Sequence, residues 1–253
     1  MPDVFKLLLL IFVVACEEPG AAFETGETGQ VVAISGPLSL ALETGEGPLE
    51  VRLAELDAPD ADAGRAWLET HLQGQQIRLR YDGLQRDRYD RALAQAYLPG
   101  AGGDVWVQAD MVSAGLARVL SHPGNRGAAL SLLALEAQAR AEGVGLWGDP
   151  AFHVRDPDPD RLAQDIGTVQ LVEGRVLEVT RLRSGRTYIN FGLDYRTDFT
   201  VLVEAADEAA FEAADQSLAD LAGRRIRVRG WIEAENGPLM RIDHPERIEW
   251  LGD

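Results

Sequence analysis

The chain of 253 residues has one cysteine, Cys16, and one lysine, Lys6. A single cysteine excludes an internal disulfide, so stability must come from buried apolar area. Positive charge is scarce, with 24 basic residues against 41 acidic ones and a formal net charge of -17. That balance repels phosphate backbones at long range and argues against a non-specific nucleic-acid coat. It leaves room for a locally basic cleft, because exposed charge is screened within about 10 Å. Aromatics are modest at 7%, and no long low-complexity tract is present, so disorder is confined to termini and linkers. The apolar run at 7–15 is too short to cross a bilayer, which needs about 20 residues.

Hydrophobic residues make up 46% of the chain, enough for one large core or two small ones, and two is the better expectation. After Lys6, every cation is arginine, whose fixed fork of donors matches phosphate or carboxylate. A charged start, the short apolar run and a small residue before Cys16 form a secretory pattern. Val13-Val14-Ala15-Cys16 resembles the lipobox of bacterial lipoproteins. That resemblance implies lipidation of Cys16, export, and lipid anchoring to a membrane at the bacterial cell envelope or periplasm. The alternative is an uncleaved N-terminal helix with an incidental cysteine.

The expected organisation is a signal peptide and lipobox at 1–16, a flexible Gly-rich tether at 17–29, a first domain at 30–150, a linker at 151–165 and a second domain at 166–253. The linker is marked by Asp156-Pro157-Asp158-Pro159-Asp160, where proline blocks regular pairing. In the first domain, short strands are predicted at 31–34, 38–42, 49–56, 76–81 and 91–98, with helices at 61–72, 105–114 and 127–141. In the second, strands are predicted at 169–179, 199–203, 225–232, 239–242 and 248–251, with an Ala-rich helix at 206–221. This is a mainly β chain with helices, of α+β class. Five short strands with helices read as an OB-fold-like five-stranded barrel, followed by a second small β-rich, OB-like domain.

Four segments in the first domain sharpen this picture. Val51-Arg52-Leu53-Ala54-Glu55-Leu56-Asp57-Ala58-Pro59-Asp60 and Asp87-Arg88-Tyr89-Asp90-Arg91-Ala92-Leu93-Ala94 resemble the signatures of the thermonuclease, or staphylococcal-nuclease-like, family. Val112-Ser113-Ala114-Gly115-Leu116-Ala117-Arg118-Val119 and Gly143-Val144-Gly145-Leu146-Trp147 resemble its later helix and closing segment. The resemblance covers roughly 30–150 and implies hydrolysis of DNA or RNA phosphodiester bonds, usually with Ca2+. By that resemblance Arg52 and Arg91 clamp phosphate, Asp60 is the general base, and Arg88 and Tyr89 contact the nucleotide. Asp57 and the Ala58 carbonyl would be metal ligands. Each residue also has a plain structural alternative: Asp57-Ala58-Pro59 as a turn, or the two arginines paired with Asp57 and Asp60.

The sequence departs from the family pattern at three places. The family's Asp-Gly-Asp-Thr loop is Ser35-Gly36-Pro37-Leu38 here, so Pro37 replaces a metal carboxylate; Glu43 or Glu46 is a conceivable substitute. Asp60 stands for a glutamate and shortens reach by about 1.5 Å, and a misplacement of about 1 Å can cost roughly 10²-fold. The family's tyrosines are replaced by Leu120-Ser121-His122-Pro123, with His122 expected in a surface turn. The expected function is therefore an extracytoplasmic nuclease weakened at Pro37. The alternative is an inactive nuclease-fold binding or assembly module at the cell envelope. In the second domain, Arg225, Arg227, Arg229 and Trp231 share one strand face. That face suits single-stranded nucleic acid, or else is a solvated charged face.

Overall fold

A computed structural model describes residues 23–252; the Cys16 lipobox lies outside the described residues. The chain begins with β1 (Glu24–Gly36), β2 (Ser39–Thr44), β3 (Gly47–Leu53) and a short β4 (Leu56–Asp57). Helix α1 (Ala61–Leu72) leads to β5 (Gln76–Tyr81), β6 (Ala92–Leu98) and β7 (Val105–Trp106). Then come α2 (Val107–Ser113), β8 (Arg118–Val119) and α3 (Ala129–Glu142). The sheet order β3-β2-β1-β5-β6, with β3 and β6 also paired in parallel, makes a curled five-strand ring. Period-2 alternation sends Leu40 and Leu42 of β2, Val51 and Leu53 of β3 and Ile77 and Leu79 of β5 into one core.

Helix α1 packs on this ring because Gly64, Leu68 and Leu72 recur on one face. Gly64 permits close approach: a Cβ there would lie 3.1 Å from the Pro37 carbonyl. Gly143, at φ 65, ends α3 in the left-handed conformation. The Gly115 and Gly145 segments meet, with the Leu146 amide donating to the Gly115 carbonyl at 2.9 Å.

After α4 (Pro159–Leu162) the second sheet contains β9 (Val169–Arg175), β10 (Glu178–Arg181), β11 (Thr187–Asn190) and β12 (Thr200–Val203). Helix α5 (Glu208–Ala213) precedes β13 (Arg225–Ala234), β14 (Pro238–Arg241) and β15 (Ile248–Leu251). The order is β10-β11-β12-β14-β13-β15, with β9 also on β13 and the β12–β14 pair parallel. This curled, mixed half-barrel has its own core, which includes Val172, Phe199, Val201, Ile226, Val228 and Met240. Among the described residues, no helix is long and apolar enough to cross a membrane.

Several elements differ from expectation. Strand β1 starts at Glu24, inside the stretch read as a tether. Its glycines are sites of close approach: a Cβ on Gly26 would lie 2.5 Å from Tyr81 Cε2, and one on Gly29 2.7 Å from the Glu43 carbonyl. The 151–165 linker is itself packed. Leu162 joins the second core, and Arg155 pairs with Asp165 at 2.9 Å. The 206–221 helix is only α5 plus a 3-10 turn at Leu218–Leu221, broken where Asp215 adopts φ 55. The strand at 169–179 divides into β9 and β10, and β11 went unread.

Candidate active site

Arg52 on β3 lies between Ser39 of β2 and Leu93 of β6. Its Nη2 donates to the Leu56 carbonyl at 3.4 Å. Burial first, and then the neighbouring Arg91 charge, pull its pKa below the ordinary guanidinium value, while Asp57 and Asp87 oppose this. Arg52 therefore shares one electrostatic neighbourhood with Arg91, Asp57 and Asp87. Two partly buried cations that feel each other's charge offer donors to an anion.

Asp87 organises the loop that delivers Arg91. Its Oδ1 accepts the Tyr89 amide at 2.8 Å and the Arg91 amide at 3.0 Å. Its Oδ2 accepts from Arg91 Nε at 2.8 Å and pairs with Nη2 at 2.7 Å. Burial pushes the Asp87 carboxyl up, but these hydrogen bonds outweigh it and hold the pKa below the usual range. Asp90 completes the turn at φ 63, a conformation that Asp tolerates better than most residues. Tyr89 is exposed, with the Arg88 guanidinium 4.7 Å and that of Arg91 5.5 Å from its ring centre. The sequence motif contains Asp87, but the residue's bracing of Arg91 was missed there; an Asp four residues before the Arg was the available signal.

The acids expected to serve a metal are otherwise engaged. Asp57 Oδ2 pairs with Arg118 Nη2 at 2.8 Å, and that Nη2 also donates to the Val169 carbonyl at 2.8 Å. Arg118 is buried, so a fixed guanidinium faces the carboxylate. Asp60 is the N-cap of α1, its Oδ1 accepting the Ala63 amide at 3.0 Å. Its Oδ2 makes no hydrogen bond among the described residues. Pro37 offers no side-chain oxygen and packs against Gly64. Glu43 and Glu46 cannot replace it: Glu43 pairs with Pro48 beside the β2–β3 turn, whereas Pro37 sits at the other end of β2, where Gly36 pairs with Ser39.

No group of three or more His, Cys, Asp or Glu able to hold a metal occurs among the described residues. Calcium asks for about six to eight oxygen ligands. With Asp57 neutralised by Arg118, Pro37 lacking an oxygen and Ala58 offering only a carbonyl, the donor set does not fit that ion.

His122 is exposed and makes a bridge pairing with Asn125. Its pKa is held low by desolvation and then by Arg247, with Arg52 a smaller contributor. Behind it, Ser121 Oγ lies 2.7 Å from His244 Nε2, and His244 Nδ1 lies 2.5 Å from Asp243 Oδ1. This Ser–His–Asp order resembles a hydrolase triad in geometry. Ser121 and His244 are both fully buried, so no substrate reaches the hydroxyl, and the chain of bonds ties the two sheets together.

The arginine face of β13 is not a strand-binding surface. Arg225 pairs with Glu173 at 2.6 Å, and Arg227 with Glu173 at 2.5 Å and Glu249 at 2.7 Å. Arg229 is buried against Glu136 at 2.8 Å and also meets Glu249. The partners come from β9, β15 and α3.

The family described as "Staphylococcal nuclease homologue" matches residues 50–149. An "Uncharacterized endonuclease" of Haemophilus influenzae is 33% identical over 153 residues, spanning 56% of this chain and 76% of that protein. The matched stretch contains Arg52, Asp57, Asp60, Asp87 and Arg91, and the chain belongs to the staphylococcal nuclease homologue family.

Proposed function

We propose that the chain binds nucleic acid through Arg52 and Arg91 and hydrolyses its phosphodiester bonds there. The observation that carries this reading is that Asp87 braces Arg91 where its charge is felt by the partly buried Arg52. The arginines neutralise the charge that grows on the phosphoryl oxygens. Asp60 Oδ2 accepts a proton from water, the water oxygen bonds to phosphorus, and the P–O bond to the leaving sugar oxygen breaks, that oxygen keeping the electron pair and taking a proton from solvent. Arg88 and Tyr89 line the approach as nucleotide contacts. No step is assigned to calcium, because the donor set does not fit that ion. In a second-sheet role, the curled half-barrel is read as an OB-like module.

The test is cleavage of single- and double-stranded DNA and RNA by the chain from residue 17 onward, with chelator and with calcium, magnesium or manganese. Arg91→Ala should lower the rate roughly 10²-fold. Unchanged cleavage in Arg91→Ala, or none by the wild type in any condition, would remove the proposal.

A second reading, phosphate binding without turnover, is favoured by the Asp57–Arg118 pair. It expects an oligonucleotide to raise the melting temperature by mass action while staying intact. Export and lipid anchoring through Cys16 are also proposed, on the sequence pattern alone. Cys16→Ser should then release the protein from the membrane fraction.

A further inference from the structure

The second sheet carries a groove unrelated to the arginine pair of the first. Its volume is about 390 Å³, within the roughly 300–1,000 Å³ range of small-ligand sites. The register explains its floor. Glu178 of β10 pairs with Asn190 of β11, Thr180 with Tyr188, and Asn190 with Thr200 of β12. Tyr188 and Asn190 therefore face the groove, while Thr187 and Ile189 alternate into the interior. Leu239 of β14 adds an apolar edge, and the β11–β12 loop folds over with Leu193 and Tyr195. Leu193 is 93% and Tyr195 58% exposed, although neither has a structural reason in the core to be apolar.

Charge around the groove is segregated. The β10–β11 turn carries Arg183 and Arg186, and the β11–β12 loop carries Arg196. The Arg196 guanidinium lies 4.9 Å from the Tyr195 ring centre. Arg183 and Arg196 make no ion pair among the described residues, whereas Arg186 is held by Glu204 at 2.8 Å. The acids lie within: Glu178 and Glu235 line the groove, and Glu235 is already paired with Arg241 at 2.5 Å. Asp194 and Asp198 are spent on the loop itself, accepting the Arg196 and Asp194 amides at 3.1 and 2.8 Å.

We propose that this groove binds a single strand of nucleic acid, with an unstacked base against Tyr195 and Tyr188 and the backbone along Arg183 and Arg196. An exposed aromatic backed by a guanidinium gives a stacking platform, and cations on the rim track phosphates. A duplex keeps its base faces stacked, so only a single strand can use the platform. Inside, Glu178 and Asn190 offer oxygen acceptors to exocyclic amines, which cytosine and adenine have and thymine lacks. The choice of ligand rests on the nucleic-acid reading of the first site.

The experiment is fluorescence anisotropy of the full chain with short labelled oligo-dC, oligo-dA and oligo-dT, in chelator, beside cleavage of a dinucleotide. Tyr195→Ala should weaken oligo-dC binding about tenfold. Arg183→Ala with Arg196→Ala should weaken it and flatten its salt dependence. Melting temperature and dinucleotide cleavage should be unchanged in both, since these side chains are exposed. Oligo-dC and oligo-dA should bind more tightly than oligo-dT. Arg52→Ala with Arg91→Ala should leave Tyr195-dependent binding in place. Binding insensitive to Tyr195 and to both rim arginines overturns the groove, even if cleavage persists; so does a wild type that binds no oligonucleotide, as a protein-binding groove would give. Tyr195-dependent binding by a wild type that cleaves nothing would keep the groove and remove the nuclease reading.

Discussion

Glu55 sits at φ 63 in the turn between β3 and β4, and is 2% exposed. Its Oε1 accepts from Gln95 Nε2 at 3.1 Å and from the Ala128 amide at 3.0 Å, while Oε2 is buried without a donor. Burial, and then the Asp82 carboxyl beside it, push its pKa up to about 9 from 4.5. The folded state thus keeps a proton that the unfolded chain gives up near the ordinary value. The stability Glu55 contributes is complete below about 4.5 and is lost as pH rises to about 9. The slope is at most about 1.4 kcal/mol per pH unit. Urea unfolding across that range should show this decline in the wild type, and Glu55→Gln should remove it. An equal slope in both proteins would mean that the carboxyl is already ionised. At this scale the motif resemblance singled out Arg52 and Arg91, and the structure gives them a shared electrostatic neighbourhood. The sequence was silent on Glu55, whose burial depends on Gln95, Asp82 and Ala128 arriving from other elements.

Helix α1 shows how one carboxylate can hold two offices. Asp60 caps the helix through Oδ1 and leaves Oδ2 without a partner among the described residues. Substitution separates the roles. Asp60→Asn keeps a good cap, so the melting temperature should hold while cleavage falls to background. Asp60→Ala should lose cleavage and also about 1 kcal/mol of stability. Full cleavage in Asp60→Asn would reduce Asp60 to a cap. The helix was legible because its cap, its Gly64–Leu68–Leu72 face and its length agree. The strand at 24–29 was not, because glycine there signals crowding by Tyr81 and Glu43 rather than freedom. The same ambiguity has a sharp test at Gly115, whose φ is 63 and where a Cβ would lie 2.1 Å from the Val144 carbonyl. Gly115→Ala should lower stability by more than the about 1 kcal/mol of an ordinary backbone misfit, because the closing 143–147 segment must move. Thermal unfolding would measure it.

The two sheets are joined by charge at a site neither could satisfy alone. Arg229 of β13 is buried against Glu136 of α3, and Glu136 also accepts the Val119 amide at 2.7 Å and pairs with Arg140 at 2.9 Å. Arg229 Nη1 reaches the Val119 carbonyl at 2.9 Å. Burial disfavours its charge, but Glu136 and Glu249 outweigh this and raise its pKa. Val119 follows Arg118, which holds Asp57 and the Val169 carbonyl. The second sheet therefore braces the strand β8 that borders the candidate active site. Sequence pattern placed these arginines on one strand face but read it as facing solvent, because the acids that cover it lie up to 93 residues away along the chain. Arg229→Ala leaves buried Glu136 with Arg140 as its remaining cation, which should cost stability up to the about 3–5 kcal/mol of a fully unpaired buried charge. If the brace reaches the site, cleavage per folded molecule should also fall, through kcat or KM, at a temperature where the variant is still native. Replacing Arg229, Glu136 and Glu249 together by apolar residues of similar volume separates the two effects. Such a change removes the most deeply buried charges together, at the cost of both acid partners of Arg140, and it removes the hydrogen bonds to Val119. A stable triple variant with reduced cleavage would locate the coupling in those bonds; one with full cleavage would show that the second sheet only holds the first in place.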